Sequence, residues 1–144
     1  MSVTLFNDKF LSAFHLKAIE NEKRNVNFGL CTTPETTCQL NLNIMEPGTH
    51  VSIHRHMKTP ETVICLEGCL DWIFYEELPN VDAGGPVHDG RKAIVESNFK
   101  EVSRFRICPR KKLYGIQVPP MIWHSIEVHE SSTIFEAKNE SYGE

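Results

Sequence analysis

Gly48-Thr49-His50-Val51-Ser52-Ile53-His54-Arg55-His56-Met57-Lys58-Thr59-Pro60-Glu61-Thr62-Val63-Ile64-Cys65-Leu66-Glu67-Gly68 sets two imidazoles and a carboxylate between two turn glycines. A single residue separates His54 from His56, and in an extended strand of period two both rings then leave the backbone on the same side. The segment that follows carries Lys58 and Pro60, and a turn there returns Glu61 opposite the histidines as a hard oxygen donor beside two nitrogen donors. A fourth donor belongs further along. Tyr114-Gly115-Ile116-Gln117-Val118-Pro119-Pro120-Met121-Ile122-Trp123-His124 supplies it, as a strand that ends in a Pro-Pro turn and re-enters a strand carrying His124.

Together the two segments resemble the two cupin motifs. The first fits throughout, from Gly48 through His54, His56 and Glu61 to Gly68. In the second, Pro119 and His124 stand at the motif's proline and histidine, Met121 replaces its inner glycine, and Leu113 and Val128 replace its first glycine and final asparagine. The resemblance implies an all-β cupin double-stranded β-helix, a jelly-roll barrel, with a metal held by His54, His56, Glu61 and His124. Beyond the motifs, Arg24-Asn25-Val26-Asn27-Phe28, Met45-Glu46-Pro47-Gly48 and Phe135-Glu136-Ala137-Lys138 are similar to the WbuC-type cupins, a family named for its association with bacterial surface-polysaccharide clusters. That likeness implies a cupin fold metalloprotein in a polysaccharide context without specifying a reaction.

The 144 residues suit one domain, 1–144, large enough to bury a core without metal or disulfide staples. Hydrophobic content of 40% and charged content of 24% are ordinary for a globular chain, and no apolar run approaches the roughly 20 residues needed to cross a bilayer. No basic segment followed by an apolar stretch opens the chain, so a cytoplasmic protein is expected. A net charge of −4 gives no general attraction to nucleic acid or anionic membrane. Cys31, Cys38, Cys65, Cys69 and Cys108 are odd in number and contain no Cys-x-x-Cys pair, which points to reduced thiols, with Cys65 a small core residue.

Phe6, Phe10, Ala13, Phe14 and Ala18 recur at helical spacing, predicting an amphipathic α-helix over about 4–23 packed on the barrel. The barrel itself is expected over about 38–140. Leu40, Leu42 and Ile44 alternate with Gln39, Asn41 and Asn43, as in a half-buried strand. Further strands are expected at 51–56, 61–66, 70–75, 93–96, 99–107, 113–118, 122–128 and 133–138. Residues 76–90 hold Pro79, Gly84-Gly85-Pro86 and Asp89-Gly90 and read as a long loop or extended hairpin tip in which His88 alone offers obvious chemistry.

Three imidazoles and a carboxylate suit one divalent first-row transition metal, Fe, Mn, Ni, Co, Cu or Zn, rather than the all-oxygen shells of calcium or magnesium. His50 shares strand parity with Ser52, His54 and His56 and is the candidate for proton transfer, the alternative being a solvated strand-edge histidine. Trp72 and Phe74 take one strand face and Asp71, Ile73 and Tyr75 the other, while Trp123 points away from His124 and backs the site. Arg104 and Arg106 share a face near Arg110-Lys111-Lys112, either a solvated surface or a recruiting patch for a phosphorylated sugar.

The expected function is metal-dependent chemistry on a small polar substrate, plausibly carbohydrate-derived, of isomerase, epimerase or oxygenase type. A non-catalytic cupin that senses a sugar or metabolite through the same cavity is the alternative, and a metal-dependent dioxygenase a third reading. A homodimer is expected through Val51, Ile53, Thr62, Ile64 and Leu66, on faces opposite the ligands.

Overall fold

A computed structural model describes residues 3–30, 33, 35, 37–79, 84–88 and 91–139, with backbone alone for 84–88 and 91–94. The helix, α1, spans Asp8–Glu20 and is shorter at both ends than the apolar periodicity suggested. Asn7 accepts the Phe10 N–H at 3.0 Å and so starts the helix as an N-cap. Asn21 ends it in an extended conformation, its N–H shared by the Lys17 and Ala18 carbonyls.

The strands are β1 (Asn25–Gly29), β2 (Gln39–Met45), β3 (Glu61–Glu77), β4 (Gly84–His88), β5 (Arg91–Ile94), β6 (Phe99–Ile107), β7 (Gly115–Val118) and β8 (Trp123–Lys138). β1 escaped the sequence pattern because Asn25, Asn27 and Gly29 are poor strand formers. Two expected strand pairs prove to be single long strands, β3 and β8. Residues 51–56 form no strand: hemmed by the turn at Pro47-Gly48 and the bends at 57–59, they contribute one bridge, His54 to His124. The expected 76–90 loop contains β4, which pairs antiparallel with β5 in a two-stranded ribbon. The His88 side chain lies outside the described residues.

All pairings are antiparallel, in the order β1-β2-β8-β3-β6 with β7 also on β3. The hydrogen-bonded path among the described strands is open. The expected all-β architecture with an N-terminal helix is present, and the pairings do not close into the expected jelly-roll barrel among the described strands, where β1 and β6 each pair on one side. Register shifts in the β3–β8 ladder gather between Cys65 and Leu70, where Gly68 takes φ +103° and a Cβ would strike Ser131 and Ser132 of β8.

The two sheet faces have different partners. On one, Met45, Val63, Leu70, Trp72, Ile126 and Ile134 belong to the main apolar core. On the other, Leu42 and Ile44 pack with Ala18 under α1, supported by Phe10, Phe14 and Phe28. Phe28 meets Phe10 and Phe14 at centroid distances of 5.4 and 5.3 Å, edge to face. Thus α1 seals the outside of the β1–β2–β8 sheet and leaves the opposite face to the site.

Candidate metal centre

His54 and His124 face each other as an antiparallel pair, His54 N–H donating to His124 O at 3.0 Å and His124 N–H to His54 O at 2.8 Å. Cross-strand partners carry their side chains to the same face, and the two rings lie 4.3 Å apart. His56 is anchored by the Met121 N–H on its carbonyl, at 2.7 Å. Its ring stands 5.3 Å from that of His54 and 5.5 Å from that of His124. One ring nitrogen from each histidine lies within 4.8 Å of the others. Glu61, first residue of β3, brings Oε2 to 3.1 Å from His56 Nε2 and Oε1 to 3.7 Å from His124 Nε2. The structure therefore assembles all four side chains singled out from the sequence.

Hydrogen bonding sets which nitrogens face inward. His54 Nδ1 and His124 Nδ1 donate to the carbonyls of Ser52 and Ile122, each at 2.8 Å, so Nε2 is the nitrogen that each ring turns toward the cluster. Burial, reinforced by the nearby His124, lowers the His54 imidazole to about 4, so it is neutral at pH 7. Burial pushes the Glu61 carboxyl up, but His124 and His56 outweigh that and hold it well below the usual carboxylate range. Glu61 is thus ionised although only 6% exposed. The Nε2 atoms of His56 and His124 are buried and face the Glu61 carboxylate without a well-formed hydrogen bond to it. A buried nitrogen so poorly satisfied is costly in a purely structural cluster, whereas imidazoles beside a carboxylate are the donor set a first-row divalent ion takes. These residues fit such an ion.

Met121, which stands where the cupin motif has glycine, adopts φ +71°. The backbone conformation that favours glycine is kept with a side chain present, at a cost in strain. Behind the centre, the Trp72 ring stacks 6.0 Å from His124, and Phe74 lies 6.5 Å away. Trp123 points to the other side, under the Arg55 guanidinium at 4.3 Å, and donates to Glu77 at 2.9 Å.

Three of the four, His54, His56 and Glu61, line a cavity of about 380 Å³, and His124 is fully buried beside them. The cavity walls are polar, and sequence reading missed them: Asn25, Asn27, Gln39, Asn41, Asn43 and Glu136. For β2 the signal was present, since Gln39, Asn41 and Asn43 alternate with Leu40, Leu42 and Ile44 as in a half-buried strand, but alternation does not say which face encloses a cavity. Burial and the nearby Glu61 charge raise the Glu136 carboxyl to about 8. Lys138 Nζ reaches 3.4 Å from His56 Nδ1. His50 lines the mouth, its side chain 72% exposed and 3.5 Å from Glu96.

Other sequence expectations fall elsewhere. Arg104 and Arg106 lie on the far face of the sheet, bound to Asp71 at 3.0 and 2.9 Å, and Arg104 also meets Glu101 and Glu127. Their guanidiniums are committed to carboxylates rather than offered to a phosphate. Cys65 sits in the main core with its thiol pushed up to about 11 by burial, an unreactive setting. Cys31 is outside the described residues. Ile53, expected on an outer face, is buried, and Val51 packs against the core, whereas Ile64 and Leu66 are exposed.

Among known families, the one described as a domain of unknown function, DUF6016, matches residues 6–84, more than half of the chain. The chain belongs to the DUF6016 family. The matched span includes His54, His56 and Glu61, and the family's description assigns no activity to them. None of the curated proteins compared matches this DUF6016 chain. Solved structures share its fold. CapF in complex with the inhibitor 3-isopropenyl-tropolone is 18% identical with a TM-score of 0.57, over 85% of this chain and 30% of its own. KdgF from Halomonas sp. is 12% identical with a TM-score of 0.51, over 82% and 81%. L-ribose isomerase of Cellulomonas parahominis with L-psicose is 14% identical with a TM-score of 0.55, over 81% and 61%. This chain therefore spans under a third of CapF, and at these identities the likeness is one of fold alone.

Proposed function

We propose that His54, His56, Glu61 and His124 hold one divalent first-row transition metal and that this DUF6016 protein is a metal-dependent enzyme acting on a small polar, carbohydrate-derived substrate. The observation that carries the reading is the convergence of three ring nitrogens, from His54, His56 and His124, beside an ionised Glu61, with the buried Nε2 atoms of His56 and His124 in no well-formed hydrogen bond. A bound ion of this class supplies Lewis acidity toward a carbonyl or hydroxyl oxygen. The protein does the rest. Ser52 O and Ile122 O fix the orientation of two rings, and Trp72 and Phe74 close the back of His124 to water. His50, at the mouth, is the proton-transfer group in this reading, with Glu96 placed to stabilise its imidazolium.

The carbohydrate context draws on similar folds whose descriptions name a capsular polysaccharide assembling protein from Staphylococcus aureus and an L-ribose isomerase, and on the WbuC-type motifs. Isomerase or epimerase chemistry is preferred to dioxygenation, for which no residue specifies a substrate. The test is metal analysis of protein purified without chelator. About one equivalent per chain is expected, lost in His54→Ala; less than about a tenth of an equivalent, unchanged in that variant, overturns the proposal.

The high exposure of His50 favours a second reading, a sensing module without turnover. A sugar that raises the melting temperature and is recovered chemically unchanged supports it. The proposal further takes 1–144 as one cytoplasmic cupin domain that pairs through Thr62, Ile64 and Leu66; a monomer in light scattering at micromolar concentration removes the pairing.

A further inference from the structure

The wall that β1 and β2 give the cavity breaks a local rule. Asn25, Asn27, Gln39, Asn41 and Asn43 all line it, although carboxamides are disfavoured in strands and costly to desolvate. The alternate residues of the same strands, among them Leu42, Ile44 and Phe28, bury themselves under α1 and secure the sheet. The apolar alternates thus carry the packing of β1 and β2 under α1, while on the cavity face the Asn43 amide hydrogen-bonds the Glu136 carboxyl. Strand register arrays the amides toward the metal centre: Asn27 opposes Asn43, Asn41 opposes Glu136 and Gln39 opposes Lys138, and Lys138 opposes Glu61. Asn41 is only 4% exposed. Gln39 Oε1 is buried with no hydrogen-bond partner among the described residues.

We infer that this amide wall reads the hydroxyl groups of an unphosphorylated, polyhydroxylated ligand of monosaccharide size, with Gln39, Asn41 and Asn43 as specificity-determining residues. The inference rests on the metal-centre reading, which orients the other end of that ligand. Each carboxamide offers two donors and an acceptor, and each hydroxyl both gives and takes a hydrogen bond, so a row of amides matches a row of hydroxyls. A cavity of about 380 Å³ lies at the small end of ligand sites. Among the described residues, a phosphate finds no guanidinium on this lining, and the one lysine, Lys138, is already beside His56 and across from Glu61. The apolar side chains among the described lining residues are Val51, Trp72 and Ile126.

The test is calorimetry on the full chain loaded with Mn²⁺, with metal content measured on the same samples and four probes: D-ribose, D-glucose, D-gluconate and D-ribose 5-phosphate. A neutral sugar or the sugar acid should bind at least about tenfold more tightly than the phosphate ester, the two arms separating a neutral from an anionic natural ligand. Asn41→Leu and Asn43→Leu should each weaken that binding by roughly tenfold at unchanged metal content, and Gln39→Met, nearly isosteric, serves if either fails to fold. Tighter binding of the phosphate ester, equal binding by the wall variants, or no binding of any probe to metal-loaded protein overturns the inference. Failure to load metal while a sugar still binds in a wall-dependent way overturns the metal reading alone.

Discussion

A group of histidine and carboxylate side chains lies against each face of the β3–β8 pair, alike in composition and unlike in satisfaction. His54, His56 and His124 converge on one face with Glu61 beside them; Asp71, Glu127 and His129 converge on the other. Asp71 is 1% exposed, and its carboxylate is taken by Arg106, His129 and Arg104. Burial pushes its carboxyl up, but these partners prevail and hold it well below the usual range. Every charge there has a counter-charge from the protein itself. Across the sheet, the buried Nε2 atoms of His56 and His124 share one carboxylate, Glu61, at 3.1 and 3.7 Å, without a well-formed hydrogen bond to it. Proximity of ligand-type residues is thus common to both clusters, and the poorly satisfied ring nitrogens distinguish a cluster that could hold an ion from a closed ion-pair network.

The largest expected effect breaks the comparison outright. His124→Ala should lower metal affinity at least ~100-fold by competition with a chromogenic chelator, while Asp71→Ala leaves it unchanged. Stability should show the reverse assignment. Asp71→Ala removes the hub of the second network and should cost about 3 kcal/mol in urea unfolding, because two guanidiniums and His129 lose their shared partner.

A smaller effect follows from pH. With His54 lowered to about 4 in the fold from an ordinary 6.5, the unfolded chain takes up a proton first as pH falls. The metal-free protein should therefore hold its full stability above pH 6.5 and lose roughly 2 kcal/mol between there and pH 4. The depressed Glu61 carboxyl acts in the same direction at the acid end. Urea titrations across that range should show the slope flattened in His54→Ala. The smallest change concerns the turn that feeds the first cluster. Met121→Gly relieves a left-handed residue whose side chain is 46% exposed, and should raise stability by about 1 kcal/mol in thermal melts at unchanged metal content.

Much of this centre was legible from spacing. His54 and His56 share a face because alternate residues of extended backbone do, and Met121 was already marked by its departure from the cupin pattern. What spacing did not convey was the support. Residues 51–56 make a single bridge to β8 instead of a strand, because His124, 70 positions away in the chain, is the partner that holds His54. The alternation of Gln39, Asn41 and Asn43 with leucine and isoleucine was plain, yet period two separates two faces without saying which one encloses a cavity. Arg104 and Arg106 read as a basic patch for the same reason: Asp71 neutralises them from another strand.

By itself, the sequence determined the helix that packs on a sheet, the strand-rich antiparallel architecture and the identity of the convergent imidazoles and carboxylate, since these follow from local periodicity and residue chemistry. Tertiary structure alone decided which face of β1 and β2 looks inward, which charged cluster is already neutralised and which buried nitrogens are left without a well-formed hydrogen bond. Those are properties of surroundings, set when residues distant in the chain share one desolvated space, and no local pattern records them.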